Sequence, residues 1–273
     1  MSIRIKNIKI IFSLSLYTYE SLVRGICGVL GIMRNRIIII SLLLSVGLLN
    51  QVFSQPSDEL NYTKEIAVGI TKATNSGLIG GVVFKYTIHH RNDAFHYIGA
   101  EIVNIKHPKE ERYYSFTGNT YIYGKSNYLY AIRGQYGRDW ILFRKAPQQG
   151  VQVNLITAIG PTIGIVAPYY IEYMTNDGLI VTQQYNAVIH QNRENILGTG
   201  GLFQGLGQSN IVFGLNWKGS LAFEFGSKKN KVFGLEMGFM IEAYTKQIPI
   251  IPTAENYSLF PNAFITLYYG NRR

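Results

Sequence analysis

The stretch "IVFGLNWKGSLAFEFG", residues 211–226, alternates oil and polarity along its length. Ile211, Phe213, Leu215, Trp217, Leu221, Phe223 and Phe225 take the odd positions, interrupted only by Gly219. Val212, Gly214, Asn216, Lys218, Ser220, Ala222 and Glu224 take the even ones. A period of two sends successive side chains to opposite faces of a β-strand. The stretch therefore predicts a strand with one apolar and one polar face. The fold turns on which face meets water.

The same rhythm recurs. "EIAVGIT" sets Ile66, Val68 and Ile70 against Glu65, Ala67, Gly69 and Thr71. "GGVVFKYTIHH" sets Val82, Phe84, Tyr86 and Ile88 against Gly81, Val83, Lys85, Thr87 and His89. Tyr128, Tyr130, Ile132 and Tyr136 oppose Leu129, Ala131, Arg133 and Gln135; Val151, Val153, Leu155 and Ile159 oppose Gln152, Asn154 and Gly160. "VFGLEMGFMIEAY" repeats the pattern with Gly234, Glu236, Gly238 and Glu242 on its polar side. Turn-forming clusters at Asn75-Ser76-Gly77, Arg91-Asn92-Asp93, Gly124-Lys125-Ser126, Asn176-Asp177-Gly178 and Lys228-Lys229-Asn230 separate the segments. The spacing predicts about ten strands, with 8 or 12 as alternatives, and segments at 112–123, 138–146 and 178–189 among them.

Composition fits an all-β chain. Of 273 residues, 47% are hydrophobic and only 15% charged, against about 25% charged in soluble domains. Tyr is abundant at 20 and Gly at 28, whereas Pro is scarce at 8. Such content excludes a disordered chain.

Residues 33–55, "MRNRIIIISLLLSVGLLNQVFSQ", carry the parts of a secretory signal: Arg34 and Arg36, then an apolar run from Ile37 to Leu49, then small-residue cleavage after Ser54. The run is short for a helical bilayer anchor. Residues 1–32 precede a complete signal and read as an over-extended start, leaving 55–273 as the mature chain. Six of the 26 basic residues and one of the 16 acidic ones precede residue 55, so the mature chain holds 20 and 15. A net charge of that size, without a basic run, gives no nucleic-acid signature. The single cysteine, Cys27, lies in the leader, so no disulfide framework supports the exported part.

Alternation alone also suits a soluble lipocalin-like barrel with its oil inside. Three features favour the membrane. The polar face is rich in small residues that fit a narrow lumen. Its charges are sparse and of both signs (Glu65, Lys85, Arg133, Lys218, Glu224, Glu236 and Glu242), so they can pair across a lumen, whereas a soluble surface is charged more densely. The oily face carries Trp and Tyr near strand ends, as interfacial girdles do. The expected fold is an antiparallel transmembrane β-barrel, with both termini on the periplasmic side.

The mature region resembles the outer-membrane β-barrel proteins of Bacteroidota. The likeness rests on the overall pattern, on "LFRKAPQQGVQVN" (142–154), on "ENILGTGGLFQGLGQSN" (194–210) and on the closing "FITLYYGNRR". The tail Gly270-Asn271-Arg272-Arg273 departs from the aromatic ending common in outer-membrane barrels. The resemblance implies the bacterial outer membrane, with its lipids and another envelope protein as partners, and carries no catalytic residue.

Motifs for chemistry are weak. "HHRNDAFH" gathers His89, His90, Asp93 and His96 as possible metal ligands, but a solvated hairpin turn gives the same string. The glycines of 197–208 lack the Lys-Ser/Thr of a phosphate loop. Arg144 and Lys145 before Pro147 could meet a lipid phosphate or form an ordinary basic turn. Ser209, Ser220 and His190 show no spacing that specifies a lipid A deacylase-like hydrolase. No motif implies a cofactor. The expected role is non-enzymatic, structural or binding, with a lipid-modifying hydrolase, a narrow channel and a soluble binding barrel as alternatives.

Overall fold

A computed structural model describes residues 62–273 apart from 92, 145–149, 202–203 and 226–229. These residues belong to one compact unit, Asp58–Arg273. The predicted over-extended start (1–32), the signal peptide (33–54) and the Gln55 terminus lie outside the described residues.

In chain order the strands are β1 (Lys64–Ala73), β2 (Ser76–Arg91), β3 (Ala94–Ile105), β4 (Arg112–Tyr114), β5 (Thr120–Ile122), β6 (Asn127–Phe143) and β7 (Gln152–Pro168). There follow β8 (Tyr170–Met174), β9 (Ile180–Gln184), β10 (Ile196–Thr199), β11 (Asn210–Phe225), β12 (Lys231–Tyr244) and β13 (Leu259–Arg272). Eight of them close a barrel in the order β1-β13-β12-β11-β7-β6-β3-β2. Every barrel pair is antiparallel, and β1 meets β13 from Glu65↔Arg272 to Ala73↔Phe264, so the barrel has no free edge.

The barrel has eight strands, not about ten. The segment 138–146 supplies no strand of its own, because Trp140 to Phe143 continue β6, which runs 17 residues without a break. The segments 112–123 and 178–189 form β4–β5 and β9 in two small sheets outside the barrel, ordered β4-β5 and β10-β8-β9. Strands of 10 to 17 residues can cross a bilayer, which needs about 9–11 tilted residues.

The oil faces out. Phe213, Leu215 and Phe239 are 63%, 62% and 69% exposed, whereas Lys218 and Glu242 between them are fully buried. All the sets of apolar residues named from the alternation lie on this outer wall, which inverts a soluble barrel. Tyr128 and Tyr130 open β6 on the wall, and Trp140 and Tyr269 mark its other end; Trp217 departs from a girdle and sits in mid-strand. Among the described residues no helix is long and apolar enough to cross a membrane.

The start of β1 and the end of β13 lie at one end of the barrel, the chain-end side, together with the adjoining ends of β2 and β3, of β6 and β7, and of β11 and β12. The opposite end has the tight Thr74-Asn75 turn and three longer loops, 106–126, 169–209 and 245–258.

Candidate functional site

An eight-stranded barrel is just wide enough for its inward side chains to fill it. Small residues make room for large ones: a Cβ at Gly99 would collide with the Tyr97 ring, and one at Gly234 with Tyr268. In the space so shaped, the structure brings all seven charges read from the alternation into two ion-pair clusters, and adds three others.

The cluster nearer the chain ends joins Glu65, Lys85, Asp139, Glu224 and Arg272. Lys85 Nζ lies 3.0 Å from Asp139 and 3.5 Å from Glu65. Arg272 donates to Glu65 at 2.7 Å and also to Glu224, and its guanidinium covers the Tyr62 ring at 4.2 Å. The second cluster joins Glu101, Arg133, Lys218, Glu236 and Glu242. Arg133 reaches Glu242 at 2.8 Å and Glu101 at 3.2 Å. Lys218 reaches Glu236 at 3.1 Å and Glu101 at 3.3 Å, and donates to Tyr97 Oη at 2.7 Å. Ser220 donates to Glu236 at 2.6 Å and Tyr244 to Glu242 at 2.8 Å. Asn216 donates to the backbone oxygens of Gly160 and Pro161 and to the Thr162 hydroxyl, all on the neighbouring strand β7.

Glu101, Asp139 and Arg272 were missed by the sequence reading, although parity could have found them. Arg272 shares the face of Thr266 and Tyr268, and Asp139 that of Arg133 and Gln135. Each cluster holds three carboxylates and two cations, so neither offers a wide aqueous path.

Above the second cluster the lumen turns apolar. Val103, Leu129, Val166 and Val212 line the mouth, and Ile248, Ile250 and Ile251 of the loop 245–258 pack down among them. Hydrogen bonds pin this plug: Ser126 N–H donates to Ile250 O at 2.9 Å, and the Asn127 side chain to Pro249 O at 2.7 Å. His107 Nε2 lies 3.0 Å from Glu255 O, with its ring stacked on Tyr257. Lys125 donates to Glu110 at 2.7 Å and sits over the Tyr128 ring. Burial pushes the Lys125 ammonium below the usual lysine range, and Glu110 opposes the shift.

Over the plug the loops 106–126 and 169–209 fold into a cap. Tyr121, Tyr169, Ile171, Tyr185 and Ile196 form its core, and the Arg193 guanidinium lies 4.1 Å from the Tyr123 ring centre. Ser115 and Thr117 both donate to Leu197 O, tying the β4–β5 hairpin to β10. Burial raises the Tyr185 phenol to about 12 and lowers His190 from the usual histidine value. His190 Nδ1 accepts from Asn186 N–H at 2.9 Å, which fixes a neutral ring. Outside, the cap shows Tyr114, Phe116, Leu179, Ile180, Val188 and Ile189, with Phe116 71% and Val188 76% exposed.

The remaining sequence candidates do not converge. Ser220 is in the lumen on Glu236, Ser209 donates to Leu206 O, and His190 is in the cap, so these do not assemble a nucleophile and base. Among the described residues no group of three His, Cys, Asp or Glu could hold a metal. Gly198 lies within β10, and the Gly200 amide donates to Tyr170 O, so these two glycines are cap backbone. Leu202, Phe203, Lys145, Pro147, Asn92, Lys228 and Lys229 lie outside the described residues.

No protein-family model and no curated protein matches the chain. Among solved structures, Ail, the attachment invasion locus protein of Yersinia pestis, in complex with the heparin analogue sucrose octasulfate, is 11% identical. It covers 77% of this chain and 97% of its own, at a TM-score of 0.36. Neisserial surface protein A is 12% identical over 77% of this chain and 95% of its own, at a TM-score of 0.32. The inverted wall and the closed, side-chain-filled barrel decide the matter from this chain's own residues. It is a transmembrane β-barrel of the bacterial outer membrane.

Proposed function

We propose that this chain is a non-enzymatic envelope protein whose cap binds a protein partner outside the cell. Short turns face the periplasm and long loops the exterior in outer-membrane barrels, so the start of β1 and the end of β13 lie on the periplasmic side and the cap outside. A folded platform that leaves Phe116, Ile180 and Val188 in water carries the reading, because exposed apolar groups of this size mark interaction surfaces. A signal at 33–54 and a mature start at Gln55 belong to the same reading, as does an origin in Bacteroidota. Two clusters of paired charge beneath an apolar plug disfavour the channel alternative.

Photocrosslinking residues at Phe116 and Ile180 should give protein adducts in intact cells, whereas Phe213 on the wall should give lipid adducts alone. Lipid adducts or none at the cap positions would refute the partner. Purified protein in planar bilayers should show no unit conductance; steady channels would restore the pore reading.

A further inference from the structure

All six carboxylates on the barrel strands point into the lumen: Glu65, Glu101, Asp139, Glu224, Glu236 and Glu242. The charges that share the outer wall with the lipid-facing residues are Lys64, Lys72, Arg91, Arg138 and Lys231, all cations. At the chain-end side of this wall, on β2, β3 and β6, a cluster forms around Arg138. Arg138 pairs across the sheet with His96. Its Nη1 lies 3.3 Å from His96 Nε2, which is also 3.0 Å from His90 Nδ1, and His96 Nδ1 meets Tyr136 Oη at 2.7 Å. His90 and His96 rings contact at 4.4 Å, and Tyr136 stacks beside them. Asp93, the carboxylate of the nearby turn, is engaged by Arg144.

A guanidinium on a lipid-facing wall is unfavourable at the bilayer centre by about 2–4 kcal/mol and near neutral at the headgroups. His96 is the third residue of β3, which sets Arg138 roughly 7–10 Å from the start of that strand and two residues inside Trp140, in the aromatic band that meets headgroups in such barrels. There a cation and two imidazoles converge with a tyrosine hydroxyl, and no strand carboxylate shares their face. Guanidinium and phosphate make paired, charge-assisted hydrogen bonds, and an imidazole gains a second donor on protonation. We propose that Arg138, His96, His90 and Tyr136 bind the phosphate of an anionic phospholipid in the leaflet around the chain-end side of the barrel. The leaflet's identity as the periplasmic one rests on the orientation proposed above; the site itself does not. In sequence "HHRNDAFH" looks like a solvated turn, because nothing local shows that Arg138, 42 residues after His96, arrives beside it.

Trp140 lies two residues beyond Arg138 on the same face and reports on the site once Trp217 is replaced by Phe. The Trp217→Phe protein is placed in phosphatidylcholine vesicles holding a minor share of phosphatidylglycerol with brominated chains. Trp140 should be quenched as if that lipid were enriched about fivefold over brominated phosphatidylcholine at equal share, equivalent to about 1 kcal/mol for one basic side chain at an anionic surface. Arg138→Gln should bring the two lipids level. A Leu267→Trp reporter on β13, four strands away round the wall, should show no preference when Trp140 is also replaced by Phe. Equal quenching by both lipids at Trp140 would overturn the site, and this comparison needs no change to the cluster, so a poorly assembling Arg138→Gln leaves it intact. Inorganic phosphate should not relieve the quenching; relief would overturn the lipid as occupant. Both leaflets carry the same lipids in these vesicles, so failure here refutes the site and leaves the orientation to surface labelling.

Discussion

Lys218 tests whether the lumen clusters hold the barrel together. Its ammonium is fully buried and has three partners: Glu236 at 3.1 Å, Glu101 at 3.3 Å and Tyr97 Oη at 2.7 Å. Lys218→Met keeps most of the side-chain volume and removes the charge. Glu101 then retains Arg133, but Glu236 is left with the Ser220 hydroxyl. Removing one partner of a buried ion pair costs about 3–5 kcal/mol, because the other charge stays buried without compensation. The expected loss is in that range, whereas Lys64→Met on the exposed start of β1 should change stability by less than about 0.5 kcal/mol. Neutralising the stranded carboxylate should return part of the loss. In Lys218→Met/Glu236→Gln the two changes should couple by about 1–3 kcal/mol, as contacting residues do. The assay is reversible urea unfolding from lipid vesicles, followed by the fluorescence of Trp140 and Trp217. Additive effects, or a Lys218→Met loss as small as that of Lys64→Met, would refute the reasoning.

Leu221→Arg puts a cation on the wall opposite Leu155 and Met237 and should lose about 2–4 kcal/mol; a wild-type yield of the heat-modifiable folded band on gels would contradict the lipid-facing assignment. His190 should make the cap sensitive to acid. Its folded value lies below the unfolded one, so the unfolded state binds more protons between the two, and cap stability falls as pH drops from about 6.5 through the folded value. Exchange at the Asn186 amide, corrected for its intrinsic rate, should accelerate over that window and lose this pH dependence in His190→Gln; equal profiles would remove His190 as the cause.

The two faces of the wall were legible in the sequence, because a strand that separates lipid from a polar lumen must alternate over its whole length. The strand count was not. "RYY" and "IVTQQ" have strand chemistry as good as that of the barrel segments, and only their pairing with β5 and β8, in local hairpins outside the wall, keeps β4 and β9 out of it. Strand β3 was hard to see for another reason. Val103 and Ile105 point into the apolar mouth while Ile98 and Ile102 point to lipid, so both faces are oily and the period of two fades. Glu101 went unnoticed with it. Arg272 was read as an anomaly of the C-terminus, yet β1 and β13 close the barrel there, and that closure carries the tail charge to Glu65 and Glu224. The cap was beyond reach, because its tyrosine core joins residues from two loops with no periodicity of their own.

Buried ion pairs are weak sources of net stability, since an apolar filling of equal volume often does as well. Their retention in this lumen has a different explanation, which is register. A slip of one residue moves every inward side chain of a strand to the outside. Seven of the eight barrel strands carry at least one inward charge; β7 carries Gln152 and Asn154 instead. Slipping β11 would expose Lys218 and Glu224 to lipid, and the lysine alone would cost about 2–4 kcal/mol at mid-membrane depth. The correct register recovers that energy without any one pair being strong, because every charge then has an opposite charge within the lumen. An all-apolar lumen would remove this penalty and leave strands oily on both faces. Such strands would pair as well one residue out as in place, so the charges select among barrels more than they strengthen one.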